Sequence, residues 1–315
     1  MNVFFNLHTV ADGVWAAIVV PGSGALGNAA IIDLGDSTVV VDTFSLPQAA
    51  ELLKQAAEQL TGKPVQYVIN THYHGDHHYG NQVFTDSQII TTGITRDYLT
   101  REPAPTAEAW QDGLQQVMTT LEQGRQATQD NRLQTAFANE IADKAALLKA
   151  VPDIRRVTAS LTFSDKMMIY GSTRSVSVLT FGGGHTESDA MVYVEDAGVL
   201  IAGDLVLSRT HPAMLSGSLE NWLRIIEQIE HELTFSKLIP GHGEVADRSS
   251  LEEMTRYLRA IPEYVQQAAA SSKPEAYWLE QGIPAAFADW EMSHVFGWNF
   301  RWLYQQMKHG DEVKQ

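Results

Sequence analysis

The chain has 315 residues, enough for one large domain or two ordinary ones, and 44% of them are hydrophobic and 19% charged, as in an ordinary globular protein. The 38 acidic residues outnumber the 22 basic ones, so the formal net charge is −16. A field of this sign repels phosphate backbones and anionic lipids, and no lysine- or arginine-rich run offsets it, so we expect neither a nucleic-acid nor a membrane partner. Because the sequence has no cysteine, a disulfide framework, a thiolate nucleophile and a cysteine-ligated metal site are excluded.

The N-terminal segment has none of the features of a signal peptide. It lacks a basic region and a long apolar run that ends at small residues. No stretch of the chain approaches the roughly 20 apolar residues that are needed to span a bilayer. We therefore expect a cytoplasmic protein.

Hydrophobic periodicity divides the chain into alternating blocks. Up to about residue 94 we predict strands and one helix, with the strands at Val14–Val20, Ala29–Leu34, Thr38–Val41, Val65–Ile69 and Gln88–Thr92 and the helix at Pro47–Leu60. Helices are predicted between about 95 and 157. Further strands follow at Met167–Tyr170, Ser175–Phe181, Met191–Glu195, Val199–Ala202 and Lys237–Ile239, with a helix at Ser218–Glu232.

The C-terminal part is predicted to be helical and aromatic. Ser249 and Glu252 have the spacing of a capping box that opens a helix, and Pro262 is expected to kink or restart it. The segment 276–309 is expected to be helical and contains many tryptophan, phenylalanine and tyrosine residues. We predict a catalytic domain over residues 1–246, with a helical insertion at about 97–157, and a C-terminal helical extension over 247–315.

A dense group of histidines directly follows the predicted strand Val65–Ile69. His72, His74, Asp76, His77 and His78 lie within seven residues, with glycines nearby that allow a turn. Imidazole and carboxylate groups are good zinc ligands. Two imidazoles at positions i and i+2 can chelate one ion, while Asp76 and His77 point elsewhere and suit a second ion.

Three more residues of ligand type occupy comparable positions further along the chain. His185, Asp204 and His242 each lie in a glycine-containing loop directly after an apolar strand. The end of a strand holds a side chain rigidly, and neighbouring glycines allow an ion to approach the backbone. These residues are therefore candidates to complete a metal site.

The ordered set of motifs resembles the metallo-β-lactamase superfamily. It comprises His72-x-His74-x-Asp76-His77, Gly184-His185-Thr186, Gly203-Asp204, Pro240-Gly-His-Gly243, and Asp42 after an apolar strand. The resemblance covers about residues 9–94 and 160–246 and implies a four-layer αββα sandwich with two metal ions at one edge of two packed sheets. One departure is Ser188 before Asp189, where many relatives have glycine.

Carried over by position, the resemblance implies a role for each residue of the set. His72, His74 and His185 would bind the first zinc, and Asp76, His77 and His242 the second. Asp204 would bridge the two ions, Asp76 would also orient the nucleophile, and Asp42 would orient a ligand by hydrogen bonding. Iron or manganese in place of zinc is left open.

The function implied is that of a binuclear zinc hydrolase of an ester, thioester or lactone carbonyl, attacked by a metal-bridging hydroxide, with a small-molecule substrate. Asp204 matches the bridging aspartate of glyoxalase II-like and lactonase-like members, although the tyrosine that lactonases commonly place shortly after it is missing. The alternatives are weak or promiscuous β-lactam hydrolysis and an iron-dependent persulfide dioxygenase-like oxidoreductase. The full set of seven ligands favours two metals over the latter.

Several parts of the sequence leave their role open. His78 adjoins the histidine motif without a matching family position, so it is expected at the surface or packed behind the ligands. His211 has no motif support but is a candidate to line the site. The helical insertion and the aromatic tail either cover the metal site and form a largely apolar pocket, or add core or a dimer interface.

Overall fold

The computed structural model describes residues 3–101 and 107–312 of the chain. The strands in these ranges are β1 (Phe5–Ala11), β2 (Val14–Val19), β3 (Ala29–Asp33), β4 (Thr38–Val41), β5 (Val65–Ile69), β6 (Gln88–Thr92), β7 (Leu161–Phe163), β8 (Lys166–Tyr170), β9 (Ser175–Thr180), β10 (Ala190–Val194), β11 (Val199–Gly203) and β12 (Lys237–Pro240). The α-helices are α1 (Pro47–Thr61), α2 (Gly75–His78), α3 (Gly93–Arg101), α4 (Ala107–Ala127), α5 (Asn131–Ala150), α6 (Leu219–Glu232), α7 (Ser249–Ala270), α8 (Glu275–Glu280) and α9 (His294–Glu312).

The strands form two sheets. The first has seven strands in chain order, antiparallel from β1 to β4 and parallel from β4 to β7. The second has five strands in the order β12-β11-β10-β9-β8, of which only the β11–β12 pair is parallel. Because β4 and β5 run parallel, as do β11 and β12, the loops after these strands leave each sheet at the same edge.

Alternating apolar residues place one hydrophobic layer between the sheets and one outside each. In β3, Ala30 and Ile32 face the second sheet, while Ile31 packs on the side of α1. In β11, Ile201 faces the first sheet, while Leu200 packs with α6 and α7. Because successive side chains of a strand point to opposite faces, a run of apolar residues serves two layers at once. The result is the arrangement of helices outside two packed sheets that the sequence predicts.

Most predicted elements are present, and several expectations are wrong. The strand β1 has no counterpart among the predictions, because it is a strand whose side chains are mostly exposed at a sheet edge. The helix α7 continues through Pro262, so the restart is absent, while the kink that was its alternative stays a prediction. The capping box is absent: Ser249 is the first residue of α7, and its N–H and hydroxyl both donate to Asp247. The aromatic tail is interrupted between α8 and α9. The domain division at residue 246 stays a prediction.

The helix α5 of the predicted insertion is attached to the sheet by a buried carboxylate. Asp143 accepts hydrogen bonds from the backbone N–H groups of Gly24, at 2.6 Å, and Gly22, at 3.2 Å. Burial raises the pKa of Asp143 to about 6, although the Gly24 N–H group opposes this rise. The loop between β2 and β3 is thereby fixed against the inserted helix.

The C-terminal helices share the outer core of the second sheet. Phe300 of α9 packs with Trp222 of α6 and Tyr257 of α7 in one buried cluster. The Asn299 side chain accepts a hydrogen bond from the Met214 N–H group and donates one to the Pro212 carbonyl. This segment therefore forms a third side of the region in which the loops after the strands meet.

Replacing Asp143 with asparagine should alter how stability depends on pH. A carboxyl whose pKa is raised in the folded state loses its stabilising contribution as the pH rises from the unfolded value, near 4, through the folded value. The free energy of unfolding of Asp143→Asn minus that of the unaltered protein should therefore increase by about 1 kcal/mol between pH 5 and pH 7.5. Urea unfolding of the metal-free proteins measures this difference. Asp112→Asn, at an exposed position of α4, is the control, and an equal pH dependence in both variants would contradict the prediction.

Candidate metal centre

The ligand-type residues singled out in the sequence come together where loops from both sheets meet. His72 and His74 follow β5, and Asp76 and His77 lie on the short helix α2. On the opposite side, Asp204 directly follows β11 and His242 follows β12. Each sheet therefore supplies the residues on one side of the site, at the edge where its pair of parallel strands ends.

The converging atoms fall into two groups. One consists of His72, His74, His185 and Asp204, and the other of Asp76, His77 and His242. Within each group the potential ligand atoms lie within 4.8 Å of one another. All seven sequence-predicted residues thus belong to one of two compact sets of metal-ligand type.

The Asp204 carboxylate lies between the two groups. Its Oδ2 atom is 3.3 Å from His185 Nε2 in the first group and 3.5 Å from His242 Nε2 in the second. Its Oδ1 atom is 3.3 Å from His77 Nε2. The side chain is only 7% exposed, so its charge must be balanced within the site.

Asp42 fixes the orientation of the His77 ring. The Asp42 Oδ2 atom accepts a hydrogen bond from His77 Nδ1 at 2.8 Å and another from the Thr71 hydroxyl at 2.8 Å. Since the proton of His77 is held on Nδ1, its Nε2 atom is available as a ligand atom toward the centre. Asp42 also has a positive φ of 59°, a region in which aspartate and asparagine are tolerated better than most residues.

Two other histidines are oriented in the same way. His185 Nδ1 donates to the Ala213 carbonyl at 3.1 Å. His72 Nδ1 lies 3.0 Å from the Thr71 hydroxyl, which accepts from it because that hydroxyl donates to Asp42. In both rings the lone pair is consequently on Nε2, which faces the centre. His74 presents Nδ1 instead, 2.9 Å from His185 Nε2.

Several inward-facing atoms have no hydrogen-bond partner among the described residues. They are buried and include His72 Nε2, His77 Nε2 and Asp204 Oδ1. A buried polar atom without a partner is costly, and these atoms all point to the space in which the two groups meet. The donor set of imidazoles and carboxylates with unpartnered inward atoms therefore fits divalent cations.

The electrostatics of the site also favour added positive charge. Burial opposes ionisation of Asp76 and Asp204, yet the neighbouring His77 and His242 hold the pKa of both carboxyls below the usual value. In return, although burial acts against it, Asp204 together with Asp76 raises the pKa of His242 to about 10. Burial lowers the pKa of His185 to about 3, so that ring is neutral and can offer a lone pair. The carboxylates thus stabilise a proton on the neighbouring His242 imidazole, and divalent ions could replace this positive charge.

Glycines allow the loops to approach the ligands closely. A Cβ atom on Gly27 would lie 2.9 Å from His77 Nε2, and one on Gly241 would lie on the Asp204 carboxylate. Neither position can carry a side chain without moving a candidate ligand. Gly241 of the Pro240-Gly-His-Gly243 motif therefore leaves room for the Asp204 carboxylate and also adjoins His242.

The structure adds positioning residues that the sequence analysis missed. The Asn28 side chain donates to the carbonyls of Pro240 and Gly243 and so fixes the His242 loop. The Asp189 carboxylate accepts from the N–H groups of Gly184 and Thr186 and holds the His185 loop. The position of Asp189 close to the Gly184-His185-Thr186 motif is a sequence signal that could have indicated its role. Asn28 has no such local signal, because its bonding partners are more than 200 residues away.

Two histidines of uncertain role are now placed. His78 is buried rather than at the surface, and its Nε2 atom donates to the Tyr73 carbonyl at 2.9 Å, behind the ligand groups. His211 does not join either group. It bonds the Tyr257 hydroxyl at 2.8 Å and packs on Trp290, so it connects the sheet loops to the C-terminal segment.

A cavity of about 380 Å³ opens beside His242. One wall is the end of β2 and the following loop, the second is α5, and the third is the segment 289–292 before α9. Arg132 of α5 also donates to the Ala288 carbonyl, which joins the inserted helix to the C-terminal segment. Both parts that sequence analysis left open, the insertion and the tail, therefore border a cavity next to the candidate metal centre.

Comparison with known protein families identifies the chain. The model of the metallo-beta-lactamase superfamily matches residues 22–258. The chain belongs to this superfamily. Within it, the chain is 22% identical over 270 residues to a linear primary-alkylsulfatase of Pseudomonas sp. (strain ATCC 19151). That match covers 80% of this chain but only 47% of the alkylsulfatase, so the chain spans about half the length of this curated relative.

Solved structures of the superfamily confirm the fold. A metallo-beta-lactamase from Pontibacter korlensis matches with a TM-score of 0.58 and 17% identity over 81% of this chain and 99% of that chain. A metallo-beta-lactamase from Hirschia baltica matches with a TM-score of 0.55 and 19% identity, over 81% of this chain and 97% of that chain. The αββα sandwich of the metallo-beta-lactamase superfamily is thus confirmed, and the chain has histidine and aspartate groups able to hold metal. None of the helices in the described ranges is long and apolar enough to cross a bilayer.

Replacing Asp42 with asparagine should weaken metal binding. The amide keeps the backbone preference for positive φ but cannot hold the His77 proton as a carboxylate does, so the ring loses its fixed orientation. We expect a loss of roughly 10- to 100-fold in affinity for the more weakly held ion. Chelator competition with the purified protein measures this loss. Asp36→Asn, at an exposed position of the β3–β4 turn, should leave affinity unchanged, and equal affinities for both variants would refute the orienting role.

Proposed function

We propose that the protein is a binuclear metallohydrolase that cleaves an ester, thioester or lactone carbonyl, with zinc as the native ion at both positions. The observation that carries this proposal is the position of Asp204, whose buried carboxylate lies within 3.5 Å of imidazole nitrogens from both ligand groups. A carboxylate between imidazole nitrogens of two ligand groups suits two cations that share it. Membership of the metallo-beta-lactamase superfamily supports the hydrolytic reaction.

In this proposal each group holds one ion. His72, His74 and His185 would hold the first, and Asp76, His77 and His242 the second, with Asp204 shared by both. Bound zinc would supply acidification of water and polarisation of the substrate oxygen. The neutral rings of His72 and His185 supply lone pairs, while the two carboxylates offset part of the added positive charge.

Asp76 is the candidate catalytic residue among the ligands. Its side chain is 21% exposed, against 7% for Asp204, so it lies at the accessible side of the site. It contacts His242 Nε2 at 3.3 Å, which fixes the carboxylate next to the cavity. We assign Asp76 the orientation of the nucleophilic water and the acceptance of a proton from it as the carbonyl is attacked.

Carbonyl hydrolysis is favoured over the alternatives by the composition of the site. Superfamily members that hydrolyse β-lactams generally carry cysteine or serine where this chain has Asp204, and the solved β-lactamases that resemble it share only 17% and 19% of its residues. An iron-dependent oxidoreductase of this fold uses fewer ligands than the seven that converge here. The alkylsulfatase relative makes a sulfate ester a necessary member of any substrate panel.

The experiment that tests the function combines metal content with turnover. Metal per chain is measured by elemental analysis on freshly purified protein, and activity on p-nitrophenyl esters, a thioester, a homoserine lactone, a phosphodiester, an alkyl sulfate and a chromogenic β-lactam. About two zinc ions with a preference for one carbonyl class is the expected result. One iron per chain with no turnover in the panel would reject the proposal in favour of a redox enzyme, and selective cleavage of the alkyl sulfate would replace the carbonyl class.

Single ligand substitutions should reduce the metal content in steps. His242→Gln removes a donor of the second group only, so we expect it to retain about one ion per chain and to lose most turnover. Asp204→Asn should also fall to about one ion, because the neutral amide cannot be shared by two cations. His231→Gln changes an exposed histidine of α6 and should keep both ions. Two ions and full turnover in His242→Gln would overturn the ligand assignment.

A further inference from the structure

The cavity beside His242 is lined by two buried acidic residues of α5, Asp143 and Glu140. Asp143 is held by the N–H groups of Gly22 and Gly24. Glu140 on α5 lines the cavity and is 7% exposed. Its Oε2 atom is buried and has no hydrogen-bond partner among the described residues. A buried carboxylate oxygen without a donor is costly, so its place at a cavity wall requires an explanation.

The neighbours of Glu140 do not supply the missing donor. Lys144 Nζ is 3.7 Å from its Oε2 atom and His294 Nε2 is 3.6 Å away, both beyond hydrogen-bond distance. Burial lowers the pKa of His294 to about 3, so that ring is neutral and Lys144 is the only cation within 4 Å of this oxygen in the described part of the chain. Burial likewise raises the pKa of Glu140, although the charge of Lys144 opposes this rise.

The rest of the cavity favours a ligand with an apolar body and a positive end. Its apolar lining is contributed by Ile18, Val19, Val20, Leu26, Ala136 and Met292. Its charged lining is mostly acidic. Apart from the candidate ligand His242, Arg209 is the basic residue of the lining, and it is already paired with Asp289. Together with the net charge of −16, this lining attracts cations and repels anions.

Three lining residues also adopt unusual backbone conformations. Leu26, Arg209 and Met292 have positive φ angles of 68°, 48° and 55°. They come from three separate segments, yet all border the same cavity. Strained backbone of this kind persists where the surrounding structure holds it in place and is concentrated at ligand sites.

We propose that this cavity is the specificity pocket of the enzyme and that Glu140 selects substrates in which an ammonium group is joined by an aliphatic chain to the bond that is cleaved. The ammonium N–H groups donate to the Glu140 carboxylate, the chain packs on the apolar wall, and the reacting carbonyl lies toward His242 and the metal centre. This inference rests on the proposed function for the identity of the cleaved bond but not for the binding of the cation.

The pocket can be tested by binding alone. Hexylammonium and hexan-1-ol have the same aliphatic chain and similar size but differ in charge, and their affinity for the zinc-loaded protein is measured by isothermal titration calorimetry. We expect hexylammonium to bind at least about tenfold more tightly than hexan-1-ol. In Glu140→Gln this preference should disappear, while the affinity for hexan-1-ol stays within about threefold.

Two further variants make the result decisive. Asp112→Asn removes one negative charge from α4 outside the cavity and should keep the preference, which separates the local carboxylate from the net charge. Ala136→Trp fills the cavity without altering Glu140 and should abolish binding of both ligands, so the pocket is tested even if Glu140→Gln fails to fold. Equal affinity for the two ligands in the unaltered protein, or an unchanged preference in folded Glu140→Gln, would overturn the proposal.

Hydrolysis distinguishes failure of the pocket from failure of the reaction. The 6-aminohexyl and hexyl esters of acetic acid are compared by kcat/KM in the unaltered protein and in Glu140→Gln. We expect a preference for the amino ester that Glu140→Gln removes, mainly through KM. Selective hexylammonium binding without turnover of either ester, and without turnover of the esters, thioester and lactone of the panel, would refute the carbonyl hydrolase and leave the pocket standing. Turnover of both esters at equal rates, with equal binding of both ligands, would refute the pocket and leave the hydrolase.

Discussion

The buried carboxylate of Asp204 is the constraint around which the centre is organised. An anion taken out of water is tolerated only with close compensating charge or hydrogen bonds, and here imidazoles from three different loops surround it. Those imidazoles must in turn be held with their lone pairs inward. Asp42, Thr71 and the Ala213 carbonyl do this by occupying the outward ring nitrogens. The two sheets position the site because their parallel strands end at one edge. The loops that follow these strands are thereby brought together.

The ligand residues could be predicted from sequence because each has a strong local signal. Asp204 and His242 lie within three residues of a strand end, beside glycines whose absent side chains give room to the site. The αββα fold was implied by the resemblance that these motifs carry, whereas the short continuous apolar runs and the apolar face of α1 predicted the individual strands and helices. A signal of this kind lies within about ten residues and needs no knowledge of distant partners.

The features that were missed have one of two causes. Some residues form hydrogen bonds across long sequence separations, and in other places nearby groups compete for the same hydrogen bond. Asn28 bonds carbonyls more than 200 residues away, and Asp143 bonds N–H groups about 120 residues away. Neither differs locally from an ordinary polar residue in a loop or on a helix. The error at Ser249 has the second cause: Asp247 accepts from both the N–H and the hydroxyl of Ser249, so the serine enters the helix instead of capping it. The edge strand β1 was not predicted because hydrogen bonding to β2, rather than burial of its side chains, holds it in the sheet.

The two halves of the site are consequently specified by different parts of the chain. The metal ligands come from strand ends and from loops fixed by buried hydrogen bonds, whereas the cavity wall comes from α5 and from the segment before α9, which meet through Arg132 and Ala288. A substitution in that wall changes what fits beside His242, while Asp42, Thr71 and the Ala213 carbonyl continue to hold the rings of His77, His72 and His185. Specificity can therefore vary in this architecture at nearly constant metal chemistry. Glu140 is the position where the two meet, since it lines the added wall while its charge acts on His242.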